Sequence, residues 1–82
     1  MNKSDKYLQK LPEKEREAIL GILRQIMGGD LSSLDLKKIK GYDNYFRVRK
    51  GHTRIIFHLD RNGIPEIRHI GRKDDNTYKD LQ

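Results

Sequence analysis

The chain has 82 residues, which allow one small domain, and we expect residues 1–82 to form it. Its 18 Lys and Arg against 12 Asp and Glu give a net charge of +6, and the absence of cysteine excludes disulfides, thiolate metal sites and a cysteine nucleophile. No apolar run approaches the roughly 18 residues of a membrane span, so we expect a cytoplasmic protein with no membrane partner.

The first third of the sequence predicts two helices separated by a proline. Ser4 is placed to cap a short helix over residues 5–10, and Pro12 interrupts it because proline does not fit a helix interior. A second helix follows with acidic residues in its first turn, and the pair Gly28-Gly29 ends it. Its apolar residues recur at helical spacing and predict a buried face: Ile19, Ile22, Leu23 and Ile26.

The segment that follows the second helix, before the stranded part of the chain, contains Leu31, Leu34, Leu36 and Ile39. We expect these side chains to cover the edge of the core. Within this segment, residues 35–40 are predicted as a short turn of helix that Gly41 ends.

From Asn44 onward the period of the apolar pattern changes to two, which predicts three antiparallel strands. The first runs through residues 45–49, the second through 54–59 and the third through 64–70. The predicted hairpin loops are Lys50-Gly51-His52-Thr53 and Asn62-Gly63. The fold class is therefore α+β, a helical hairpin packed on an antiparallel meander.

The net charge is concentrated in this stranded half. Residues 45–73 contain eight basic and two acidic residues, a balance equal to the charge of the whole chain. If Phe46, Val48 and Ile55 face the helices, then Arg47, Arg49 and Arg54 project together from the opposite face. Such like charges repel unless anions occupy the face, so the pattern favours a polyanionic partner over a merely solvated surface.

The third strand has a register problem. A two-residue turn at Asn62-Gly63 pairs His58 with Ile67 and points Glu66 and Arg68 toward the core. Charged side chains rarely lie there, so we expect a longer loop or a bulge to shift the register. The pattern does not assign His69 to either face.

Two segments carry a resemblance to a known family. Residues 45–57 (YFRVRKGHTRIIF) and 70–78 (IGRKDDNTY) resemble the basic hairpin and the arginine-to-tyrosine tail of the RelE/ParE superfamily of toxins from toxin–antitoxin systems. Residues 5–12 (DKYLQKLP) and the following helix fit the family's helical hairpin. Members usually have four strands, one of them before the first helix, and a lysine or histidine near the reactive arginine.

The resemblance is to the RelE-like branch and implies an endoribonuclease that cleaves messenger RNA, typically in the ribosomal A site, without a metal or cofactor. The ribose 2′-hydroxyl attacks the adjacent phosphate, which requires a proton acceptor, positive charge and a proton donor. By this resemblance the catalytic residues are Arg54, Arg72 and Tyr78, and the RNA-binding residues are Arg47, Arg49, Lys50, His58 and Lys73. The general base is not identified, because arginine is always protonated.

The family also implies partners: a cognate antitoxin, messenger RNA and the ribosome, with the toxin monomeric inside the toxin–antitoxin complex. Two alternatives stay open at the level of sequence. One is the ParE-like branch, which inhibits DNA gyrase, and the other is a non-catalytic module that binds RNA or the ribosome.

Overall fold

The computed structural model describes residues 3–72, which fold as two helices followed by a four-stranded antiparallel sheet. The strands are hydrogen-bonded in chain order, and one face of the sheet packs against the helices. The predicted α+β architecture of a helical pair on a meander is confirmed. The elements are α1 (Lys3–Lys10), α2 (Glu13–Met27), β1 (Asp35–Lys38), β2 (Tyr45–Lys50), β3 (Thr53–Leu59) and β4 (Pro65–Arg72).

Helix α1 begins earlier than predicted, and Ser4 lies within it instead of capping it. The Ser4 hydroxyl accepts a hydrogen bond from the backbone N–H of Ile70 on β4, at 3.0 Å. The capping prediction is therefore wrong, because a tertiary contact uses the hydroxyl. This bond fixes α1 against strand β4.

Helix α2 follows the predicted pattern. Ile19, Ile22 and Ile26 are buried as predicted, whereas Leu23 is only partly buried against the same core. Gly28 and Gly29 follow the last turn. These isoleucines pack against the inner face of the sheet, and full burial of each contributes about 1.5–3 kcal/mol. The sheet residues of this core are Val48, Ile55, Phe57 and Ile70. Neither helix in residues 3–72 is long and apolar enough to cross a membrane.

The short helix predicted over residues 35–40 is wrong. Residues of that segment form strand β1, in which Leu36 pairs with Val48 and packs on the core. Within residues 3–72 the sheet thus has four strands instead of the predicted three, and the additional strand follows the helices. Four residues carry too little local signal for a strand, and pairing with β2 overrides their propensity.

Both predicted hairpins are present. Strands β2 and β3 join through Gly51 and His52, with Gly51 at φ 58 as the tight turn requires. Strands β3 and β4 are joined by residues 60–64, where the Asp60 carboxylate accepts the backbone N–H groups of Asn62 at 2.8 Å and Ile64 at 2.9 Å.

The expected correction of register in the last strand is confirmed. A bulge between Ile56 and Phe57 places Ile67 opposite Phe57 and His69 opposite Ile56, so that Arg68 is the additional residue. Glu66 lies opposite His58, away from the core, and the charged side chains are kept out of it.

A second hydrogen bond joins helix α1 to the sheet and contributes to the stability of the fold. The Tyr7 hydroxyl and the Thr53 hydroxyl are hydrogen-bonded at 2.9 Å, and Thr53 is buried. Tyr7→Phe removes this bond and leaves a buried hydroxyl unpaired, so we expect the free energy of unfolding to fall by about 1 kcal/mol in urea denaturation. Tyr42→Phe, in which no described hydrogen bond is lost, is the matched control; equal losses in both variants contradict the assignment.

Candidate functional site

The face of the sheet opposite the helices, which we call the outer face, is organised in three rows that run across the strands. Residues that are paired in the register share a face, and rows lie two residues apart, or about 6.6 Å along a strand. The first row is Asp35, Arg49, Arg54 and Gly71. The second row is Lys37, Arg47, Ile56 and His69, and the third is Tyr45, His58 and Glu66.

The three predicted arginines do lie together on the outer face, and two of them are nearly enclosed. Arg47 and Arg54 are each 8% exposed, and Arg49 directly faces Arg54 across the β2–β3 pair. Such proximity of like charges is unfavourable. Positive charge is thereby concentrated where a bound anion is only weakly screened.

One carboxylate partly compensates this charge. Asp35 on β1 approaches Arg49 at 3.3 Å (Oδ2 to Nε) and Arg47 at 4.0 Å (Oδ1 to Nη2). Asp35 is more than half exposed, so these pairs are weak. Within residues 3–72, the buried Nε of Arg47 has no hydrogen-bond partner.

Strand β1 contributes a cation that the sequence analysis missed. Lys37 lies opposite Arg47, and both line an open cavity of about 250 Å³ with Lys38, Ile39 and Lys40. Four basic side chains around one cavity form an anion-binding environment. Because this segment was predicted as helix, its lysines were not assigned to the arginine-bearing face; the alternation of Leu34 and Leu36 was the available signal.

The bulge in β4 brings His69 onto the outer face. His69 lies across β3 from Arg47 and diagonally from Arg54, whose own partner on β4 is Gly71. The imidazole of His69 covers Gly71 so closely that a Cβ at residue 71 is 2.7 Å from Nε2. Glycine at residue 71 therefore makes room for the ring beside the arginines.

Aromatic rings occupy the third row and its neighbouring loop. The rings of Tyr45 and His58 have centroids 4.7 Å apart, and Tyr42 contacts Tyr45 edge-on at 5.8 Å. All three side chains are half-buried. His58 is four residues from Arg54 on β3, about 13 Å along the strand.

Other predicted site residues do not join this face. Lys50 and Arg72 both pair with Thr53, whose side chain contacts Tyr7 on the helical side, so the register places them on the inner face at the end of the sheet. Both side chains are exposed. Lys73 and Tyr78 lie outside the described residues. The roles predicted for all these residues stay predictions.

The described residues contain no group of three or more His, Asp or Glu side chains arranged to hold a metal ion.

Comparison with known proteins gives two strong similarities, although no protein-family profile matches the chain. The chain is 34% identical over 76 residues to toxin RelE3 of Methanocaldococcus jannaschii, covering 89% of this chain and 86% of that protein. It is also similar to a chain in the crystal structure of a RelB–RelE antitoxin–toxin complex from Methanococcus jannaschii, with a TM-score of 0.72, 28% identity and coverage of 88% and 86% of the two chains. With this identity over most of both sequences, and the same fold, the chain belongs to the RelE family of toxins.

Proposed function

We propose that this protein is the toxin of a toxin–antitoxin system and that it cleaves messenger RNA in the ribosomal A site. The observation that carries the proposal is the enclosure of Arg47 and Arg54 on one face, with Arg49 on β2 directly opposite Arg54 on β3. Guanidinium groups bind phosphate in a bidentate manner, and they stabilise charge most effectively where water is excluded. The proposed substrate places the protein in the cytoplasm.

In the proposed reaction, the ribose 2′-hydroxyl loses its proton and attacks the adjacent phosphate. The bond from phosphorus to the 5′-oxygen then breaks as that oxygen takes up a proton, giving a 2′,3′-cyclic phosphate and a free 5′-hydroxyl. One proton is lost from the 2′-hydroxyl and one is gained by the 5′-oxygen, and no water is consumed. Arg54 and Arg47 stabilise the additional negative charge on the phosphorane. The cavity lined by Lys37 and Lys40 receives a flanking phosphate of the RNA backbone.

Arg72 and Tyr78 keep the roles that the family resemblance implies for them, as proposals. In these roles Arg72 contacts the phosphate, and Tyr78 stacks on a base or exchanges a proton with the ribose. The register places Arg72 on the inner face at the end of β4. To contact the phosphate, its side chain therefore has to reach around that end of the sheet to the outer face.

We assign the proton acceptor to His69. An acceptor must reach the 2′-hydroxyl of a nucleotide whose phosphate lies at the arginines, and His69 is diagonal to Arg54 in the register. His58 is about 13 Å along the strand from Arg54, which is too far for that contact. Arginine itself has no lone pair to accept a proton.

A cognate antitoxin is the proposed protein partner, because a similar toxin chain was crystallised with its antitoxin. In that assembly we expect one monomeric toxin domain to be neutralised by an antitoxin segment of complementary, acidic character. The charge of +6 favours such a partner.

The first test of the enzyme is Arg54→Ala. Loss of one guanidinium that stabilises the phosphorane should lower the rate of cleavage about 100- to 1,000-fold. The measurement is primer extension on a message translated by purified ribosomes, and Arg61→Ala, an exposed arginine in the β3–β4 loop, is the matched control. Absence of cuts by the parent protein, on ribosome-bound and on free RNA, contradicts nuclease function; inhibition of gyrase supercoiling then identifies the ParE-like activity.

The second test concerns His69. Without an acceptor beside the arginines, the 2′-hydroxyl keeps its proton and its attack on the phosphate is slow. We expect His69→Ala to reduce the rate of cleavage about 100-fold or more, with His52→Ala in the exposed hairpin turn as control. Gly71→Ala should weaken cleavage by displacing the ring. An unchanged cleavage rate in His69→Ala rejects the assignment.

The third test is made in cells. Induced expression of this chain should arrest growth, and Arg54→Ala should relieve the arrest because translation resumes. Co-expression of the antitoxin encoded beside this chain should restore growth in the parent strain and should yield a stoichiometric complex by size-exclusion chromatography. Growth that continues while folded parent protein accumulates contradicts toxicity.

A further inference from the structure

We propose that Tyr42, Tyr45 and His58 form a stacking site for one nucleobase of single-stranded RNA, a role that rests on the proposed function and identifies a part of its substrate site. We call these three residues the aromatic cluster. The rings contact one another in series, with centroid distances of 5.8 Å between Tyr42 and Tyr45 and 4.7 Å between Tyr45 and His58. Each ring is only half-buried, so part of its surface is accessible.

The backbone holds the aromatic cluster in place. Tyr45 is paired with His58 across β2 and β3, and its carbonyl accepts the N–H of Ile39 at 2.9 Å. The turn before it requires Asn44 at φ 59, a left-handed conformation that asparagine tolerates, and the carbonyl of Asn44 accepts the N–H of Leu59 at 3.0 Å. The rings are therefore ordered before any ligand binds, which lowers the entropic cost of binding.

The core of the protein does not require these rings. The buried cluster between sheet and helices contains none of the three, whereas the same two strands place Phe46 and Phe57 in a stacked pair on the inner face at 5.5 Å. On the inner face, the two phenylalanines thus supply the aromatic side chains that these strands contribute to the core. The aromatic cluster lies on the outer face, where its rings are available to a ligand.

The neighbouring charges identify the ligand as a nucleotide. Arg47 lies one row from Tyr45, about 6.6 Å along β2, so that a phosphate at the arginines and a base at the aromatic cluster can belong to one strand of RNA. Glu66 lies opposite His58 and is ion-paired with Arg68. This pair adds no net positive charge to the third row, so phosphate is bound at the arginines and the third row is left to the uncharged base. Aromatic side chains stack on any base, so this site adds affinity with little sequence preference.

The test measures binding separately from cleavage, with a short 2′-O-methyl RNA that cannot be cut and a matched oligonucleotide with abasic positions. Tyr45→Leu should weaken binding of the complete oligonucleotide about 5- to 100-fold in fluorescence anisotropy, because it removes one stacked base. It should leave binding of the abasic oligonucleotide unchanged. Tyr45→Phe, which keeps the ring, should bind like the parent protein, and thermal unfolding verifies that each variant is folded.

A spectroscopic signal tests stacking directly. A 2-aminopurine base in the oligonucleotide should lose fluorescence on binding to the parent protein and to Tyr45→Phe, and should keep it with Tyr45→Leu. Equal weakening of the complete and abasic oligonucleotides, or no weakening of either, overturns the proposal. Loss of antitoxin binding with unchanged RNA binding also overturns it and identifies a protein-binding surface instead.

The result is separable from that of the proposed function. Binding that depends on Tyr45 without cleavage by the parent protein supports the stacking site and contradicts the nuclease. Cleavage by the parent protein with unchanged RNA binding in Tyr45→Leu contradicts the stacking site alone.

Discussion

The register of strand β3 is the constraint on which the two faces of this molecule depend. Side chains alternate along a strand, so a slip by one residue exchanges the core and the charged face. Thr53, Ile55 and Phe57 are directed toward the helices, and Arg54 and Ile56 toward the outer face. Because β3 pairs with a strand on each side, it transmits this assignment to β2 and to β4. Burial of the apolar side chains on the inner face therefore determines that the guanidinium groups lie on the outer face.

The outer face combines charges in a manner that opposes stability and suits an anionic ligand. Arg49 and Arg54 face each other, and Arg47 is enclosed in the next row. Asp35 provides one exposed carboxylate, which offsets only part of the repulsion. In the proposed complex with RNA, a bound phosphate completes the compensation, so the charges that weaken the free protein strengthen the complex. Such a balance is common at functional sites, where a loss of stability accompanies a gain in function.

Two irregularities in the sheet give the face its chemical variety. The bulge in β4 moves His69 to the arginines, and Gly71 leaves the space that the imidazole fills. At the other end, Asn44 with its left-handed backbone immediately precedes β2, whose first residue, Tyr45, pairs with His58. A regular meander without the bulge and the left-handed turn would present the arginines on this face, but not His69 or the contact between Tyr45 and His58. The proposed proton acceptor and the proposed base-stacking site thus depend on local departures from the regular sheet.

Local sequence patterns are enough to predict the helical pair, the β2–β3 hairpin and the shared face of Arg47, Arg49 and Arg54, because apolar residues recur along the chain with periods of 3.6 and two. The family resemblance added the toxin assignment, which the comparisons support. Three features become visible only when the chain is packed: strand β1, the hydrogen bond between Ser4 and β4, and the position of His69. Each depends on a partner that is distant in sequence. A four-residue edge strand forms only beside β2, a serine hydroxyl bonds whatever packs against it, and a bulge is defined by the strand that it pairs with.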